Sequence, residues 1–138
     1  ANVDGLNVVA EQGSTGEGKI DGSIADDETV VVSAKEYFAK ANYTAVDSMA
    51  KALMEVKAGM ADIALVDSVC ALAMVGEGTD YADLMIMDGV ELAYEEYGVG
   101  FRKGSDAAAA VNEATAALIA EGSLPEIAAK YGLALMAE

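Results

Sequence analysis

Residues 52–67 read Ala52-Leu53-Met54-Glu55-Val56-Lys57-Ala58-Gly59-Met60-Ala61-Asp62-Ile63-Ala64-Leu65-Val66-Asp67, and this stretch decides the fold. Its first half continues a helical pattern that starts after Asp47 or Ser48, either of which suits an N-cap, and that sets Met49, Leu53 and Val56 on one face. Gly59 then supplies the left-handed stop favoured just past a helix end. Ile63 to Val66 is a continuous apolar run, too short for a helix and typical of a buried strand. A helix feeding a buried strand that ends in a carboxylate is a unit of an α/β domain.

The same alternation extends in both directions. Upstream, Leu6-Asn7-Val8-Val9-Ala10 is a β-branched run closed by Gln12-Gly13-Ser14-Thr15-Gly16, a strand and a turn. Gly18 and Gly22 argue against a regular helix over residues 17–28. Val30-Val31-Val32 reads as either a brief strand or the start of a helix, residues 34–41 place Tyr37, Phe38 and Ala41 at helical spacing, and residues 43–46 read as a strand. Downstream, residues 68–75 form a short apolar helix before Gly76-Glu77-Gly78, and residues 84–87 and 97–102 have strand patterns. Ser105 caps a helix that runs to Glu121 with Val111, Leu118 and Ile119 on its apolar side, and Gly122 stops it. Ser123-Leu124-Pro125-Glu126 has the form of a capping box with the only proline in the first turn, and the last helix runs to Tyr131 before Gly132. The expectation is an α/β fold: a mainly parallel open sheet flanked by helices.

Composition removes several function classes. At 138 residues the chain is long enough for one domain with a real core. Eight Lys+Arg against 24 Asp+Glu give a net charge of −16, a field that repels nucleic acid and anionic lipid. The absence of histidine excludes His-dependent triads and His–metal sites, and the single cysteine excludes an internal disulfide and Cys-cluster zinc sites. Cys70, with no basic neighbour in sequence, reads as a small buried hydrophobe, and the seven methionines as core filler. No metal or cofactor is expected. Residues 1–5 show neither a basic n-region nor an apolar h-region, which suits a mature protein or a piece of a longer one.

Two places hold candidate chemistry. Gly13-Ser14-Thr15-Gly16 lies at the carboxyl end of the first strand, where open α/β sheets place ligands and where backbone N–H groups can face an anion; an ordinary βα turn is the alternative. Asp67, just past the apolar strand, either caps the next helix or meets a cationic ligand group. Asp62, before that strand, is a turn residue. Glu91, Glu95 and Glu96 beside Tyr94 and Tyr97 read as a solvated acidic loop.

The order of these segments resembles the polar amino acid-binding proteins of ABC importers. Val8-Val9-Ala10-Glu11-Gln12-Gly13-Ser14-Thr15-Gly16-Glu17 is similar to the strand and loop that open that family's second lobe. Residues 52–59 followed by Ala61-Asp62-Ile63-Ala64-Leu65-Val66-Asp67-Ser68 resemble its helix–strand–Asp segment. Glu95-Glu96-Tyr97-Gly98-Val99-Gly100-Phe101-Arg102-Lys103-Gly104-Ser105 is similar to its return strand, and residues 121–132 to its closing pair of helices. The resemblance implies that residues 1–94 are a second, ligand-binding lobe and residues 95–138 a return strand and helices that complete a first lobe not contained in this chain.

The resemblance further implies that Thr15, with Ser14 and the Gly16 amide, meets a ligand α-carboxylate, and that Asp67 pairs with its α-amino group. The implied function is non-catalytic capture of a polar amino acid for a membrane permease, at the extracellular face or in the periplasm of a bacterium, with a signal peptide in the precursor and optionally a lipid anchor. A sensor domain with the same fold is the alternative, and a dehydratase-like enzyme recruiting Glu17 or Glu95 a weaker one. Apolar faces after Glu96 that lack their sheet imply exchange between copies and a homodimer.

Overall fold

The computed structural model describes residues 2–26, 33–87, 92, 95–133 and 135. The chain divides into two compact units, Ala1–Glu95 and Glu96–Glu138. In the first unit the elements run β1 (Asn7–Glu11), α1 (Thr15–Asp21), α2 (Ala34–Tyr37), β2 (Asn42–Val46), α3 (Met49–Lys57), β3 (Ile63–Leu65) and α4 (Ser68–Met74). The strands form a three-stranded sheet in the order β2-β1-β3, and both pairings are parallel. The protein therefore has an α/β fold with a parallel open sheet flanked by helices.

Alternation along β1 builds the two layers. Val8 is fully buried on one face, with Phe38, Ala34 and Ile20 of the α1–α2 segment and with Tyr43, Ile63 and Leu65 of the neighbouring strands. Val9 is buried on the other face, against Ala52 and Val56 of α3, with Ala61, Ala64 and Val66. One central strand thus seats helices on both faces. Asp62 does more than turn the chain: its Oδ2 accepts from the Asn7 N–H at 2.8 Å and its own N–H donates to the Asn7 carbonyl, which starts the β1–β3 register.

Helix α3 matches its sequence signals: Ser48 is the N-cap, accepting from the Lys51 N–H at 3.1 Å, and Gly59 lies just past the C-cap, Ala58. Lys51 and Glu55 add an i,i+4 ion pair at 2.8 Å. Residues 34–41 are helical only over Ala34–Tyr37.

Other expectations are corrected. Residues 15–21 are helical despite Gly16 and Gly18, whereas Gly22, at φ +79°, ends the helix, and residues 27–28 lie outside the described residues. Each glycine costs about 1 kcal/mol in a helix, but Gly18 lets residues 22–26 fold back over α1. Ile24 donates its N–H to the Gly18 carbonyl at 2.9 Å, and a Cβ on Gly18 would come within 2.5 Å of the Ile24 side chain. Lys19, 5% exposed, closes the same strap by donating to the Ala25 carbonyl at 2.6 Å, with Asp26 at 3.6 Å. Residues 84–87 form no strand; the Leu84 N–H closes a turn on the Tyr81 carbonyl, and Met85 is 81% exposed. Val30–Val32, Glu91 and Tyr94 lie outside the described residues.

The second unit contains α5 (Ala107–Ala120) and α6 (Ser123–Lys130), which pack on each other. Residues 97–102 form no strand, because the pattern of a strand reports fitness for a sheet and this unit offers none among its described residues. Ser105 accepts from the Ala107 N–H at 3.2 Å but the N-cap position falls to Asp106. The expected capping box at Ser123 does not form. Gly122 occupies the cap, so Ser123 is the first helical residue and its hydroxyl turns back to Leu118 and Glu121.

Candidate functional site

The sheet order fixes where chemistry can gather. The chain leaves β1 to build β2 on one side and returns to the other side as β3, so the strand order reverses at β1. In open α/β sheets such a reversal opens a crevice beyond the carboxyl ends of the strands. Ser14, Thr15 and Gly16 follow β1 there, and Asp67 follows β3. Ala10 and Leu65 are paired across the ladder, and a Cβ on Gly16 would lie 3.3 Å from Leu65 Cδ2. The first turn of α1 therefore rests directly on the end of β3, with Asp67 two residues beyond.

Each residue also carries a structural duty. Ser14 is the N-cap of α1, its Oγ accepting from the Glu17 N–H at 3.1 Å. Asp67 is the N-cap of α4, its Oδ1 accepting from the Cys70 N–H at 3.0 Å. The capping alternative is thus realised at Asp67, and Ser14, read from sequence only as part of a turn, is a cap as well. A carboxylate can accept more than one bond, and Asp67 makes a further interaction besides its cap; a helix leaves its first N–H groups without intrahelical partners. In α1 the helix bonds begin with the Gly18 N–H on the Ser14 carbonyl, so the Thr15 and Gly16 amides get nothing from the helix itself.

Two interactions of Glu17 escaped the sequence reading. Glu17 Oε2 accepts from the Gly13 N–H at 2.6 Å, and Oε1 accepts from the Tyr43 hydroxyl at 3.0 Å. Ser14-x-x-Glu17 is the capping-box spacing, but Oε2 takes the N–H of Gly13, one residue before the cap, while the Ser14 N–H donates to the Glu11 carbonyl. The second needs the register Val8↔Tyr43, which brings β2 beside the loop's own strand. Burial, and then the hydrogen bond to Glu17, hold the Tyr43 hydroxyl well above the ordinary tyrosine range.

Comparison with protein-family models, curated proteins and solved structures finds no significant match to this chain.

The thiol of Cys70 is pushed up by burial, then by the charges of Asp67 and Glu11, which makes it a poor nucleophile. Its sulfur lies 3.6 Å from Met74 Sδ, one turn on. Among the described residues no group of three His, Cys, Asp or Glu is arranged to hold a metal, and no helix is long and apolar enough to cross a membrane. Of the acids considered for an enzyme, Glu17 is engaged as above, and Glu95 lies exposed. A groove of about 330 Å³ opens elsewhere, on the Val9 face beside β2, between Asn42, Thr44, Val46, Glu55 and Met60. It includes none of Ser14, Thr15, Gly16 or Asp67.

Proposed function

We propose that this chain is one lobe, with its returning C-terminal segment, of a two-lobe solute-binding protein that captures a polar amino acid for an ABC-type importer outside a bacterial membrane. The reading is non-catalytic. The observation that carries it is the placement of an amide-bearing loop, Ser14–Thr15–Gly16, beside a carboxylate, Asp67, at the carboxyl edge of two adjacent parallel strands. A zwitterion needs N–H donors at one end and a carboxylate at the other. The order of the sequence segments supports the same reading, and a small ligand is normally buried from more than one side. Closure of a second lobe over this wall would bury the ligand and present a joint surface to the permease.

The test is an NMR titration of the 138-residue chain with L-glutamine, with acetate and methylamine as half-ligands. The expected result is weak, millimolar binding confined to two groups of amides, those of Thr15 and Gly16 and those of Ser68 to Cys70. Acetate should move only the first group and methylamine only the second. Calorimetry should show no tight complex. A micromolar titration would mean that the site is complete without another lobe, and shifts scattered over the sheet would reject the site.

A further inference from the structure

We propose that Glu17 is a positioning residue of the Gly13–Gly16 loop and that it acts through a tie to the sheet made by Tyr43. The inference rests on the reading of that loop as one wall of a binding site.

Three hydrogen bonds converge on Glu17. Its N–H donates to Ser14 Oγ at 3.1 Å, its Oε2 accepts from the Gly13 N–H at 2.6 Å, and its Oε1 accepts from the Tyr43 hydroxyl at 3.0 Å. The first two stay inside the turn. The third comes from β2, so the carboxylate fastens the turn's backbone to a different strand. Gly13 is where such a fastening matters: its φ of +76° lies in the region that glycine enters at little cost and leaves as easily. Nothing in its own side chain restrains it. Bonds to a carboxylate are roughly twice as strong as neutral ones, and the 2.6 Å contact is at their short end. Tyr43 stays a donor because burial and Glu17 keep its proton on.

The chemical consequence falls on the neighbouring amides. Ser14 takes the N–H groups of Glu17 and Gly18, through its hydroxyl and carbonyl, and Glu17 takes that of Gly13. Among the described residues, the loop N–H groups left to face a ligand are those of Thr15 and Gly16, and their placement follows from the torsions of Gly13 and Ser14 that precede them. Glu17 thereby selects which amides are offered and where they point, without reaching the ligand itself.

The experiment compares the 138-residue chain with Glu17→Gln, Tyr43→Phe and the double variant. Glutamine keeps the length and one acceptor but loses the charge. The expected result is that both single variants remain folded by circular dichroism and shift the same Gly13–Gly16 amide resonances in the same direction. The double variant should match Glu17→Gln alone, because both changes cut one tie. In Glu17→Gln the Tyr43 ionisation, read as the absorbance difference from the variant that also carries Tyr43→Phe, should fall toward the ordinary range. Affinity for L-glutamine read at Thr15 and Gly16 should drop about fivefold, the effect of one net hydrogen bond. Unmoved loop resonances in a folded Glu17→Gln chain, or additive effects of the two changes, would overturn the proposal. Should Glu17→Gln not fold, Tyr43→Phe gives the same loop readout. Loop shifts as expected, in a parent chain that ignores L-glutamine, would uphold the positioning role and reject the amino acid reading.

Discussion

Asp67 caps α4 and, in the proposed function, also holds an amine, and a pair of substitutions separates the two roles. Its Oδ1 accepts from the Cys70 N–H at 3.0 Å and caps a helix of only seven residues. Asp67→Ala removes that acceptor and should cost about 1 kcal/mol of stability, the usual loss of an N-cap. For a chain of this size that is about 4 °C in Tm. Asp67→Asn keeps an oxygen at the same place, and asparagine caps as well as aspartate, so the loss should stay within about 0.5 kcal/mol. Both changes remove the charge that, after burial, raises the Cys70 thiol. Both should therefore lower the midpoint of its alkylation-rate profile, and thiol alkylation across pH reads this directly. Urea unfolding supplies the stabilities. Only the charge is needed to hold an amine, so Asp67→Asn should abolish the methylamine response while leaving the fold nearly untouched. In a two-lobe protein containing this lobe the same change should weaken binding by about 2–5 kcal/mol, as for one partner of a buried charge pair. A destabilisation by Asp67→Asn equal to that of Asp67→Ala would refute the separation and leave Asp67 a structural charge.

Tyr43 keeps its proton more tightly in the folded chain than in the unfolded one, so its contribution to stability is complete below about pH 10 and is lost as pH rises beyond it; Tyr43→Phe should flatten that alkaline decline in urea melts, and an unchanged slope would assign the decline to other groups. Gly18→Ala gains about 1 kcal/mol of helix propensity but forces Ile24 Cγ1 away from a Cβ only 2.5 Å distant, an overpacking worth about 1–3 kcal/mol. A net loss near 1 kcal/mol is expected, and a gain in the urea midpoint would show that the strap simply lifts off. In the second unit, α5 has no buried residue, and Val111, Leu118, Ile119 and Ile127 are all more than a third exposed. Exchange of this segment between copies should give a homodimer, and a 14 kDa monomer by light scattering at high concentration would exclude it.

What was legible in the sequence followed from signals that act locally. Ser48, the apolar face of α3, Gly59 and the run from Ile63 each specify their own few residues, and the structure uses them as written. The strand before Gly13 and the cap at Asp67 belong to the same class. Failures came where a distant contact decided the outcome. Helix α1 survives its glycines because Ile24 and the buried Lys19 close a strap over it, and neither contact is visible in a window of residues 15–21. Residues 84–87 and 97–102 have the composition of strands, but a strand exists only beside a partner. Ser123 illustrates competition at short range: Gly122 adopts a φ of +89° and claims the cap, which moves the serine one position into the helix. Of the candidate site, the positions were readable and the Tyr43–Glu17 tie was not, since it depends on which strand lies next to β1.

The first strand of the chain is also the middle of the sheet, and this shapes the kinetics of folding. Val8 must find both Tyr43 and Ile63, each across a long intervening segment. The chain entropy of these two closures differs by only about 0.4 kcal/mol, because closure cost grows with the logarithm of length. Neither partner strand gains precedence from the chain itself. Helix α3, lying between them in sequence and packed on β1 and β3, is then the natural arbiter of the rate-limiting step. Trimming its buried surface should slow refolding, whereas trimming β2, at one margin of the sheet, should chiefly hasten unfolding.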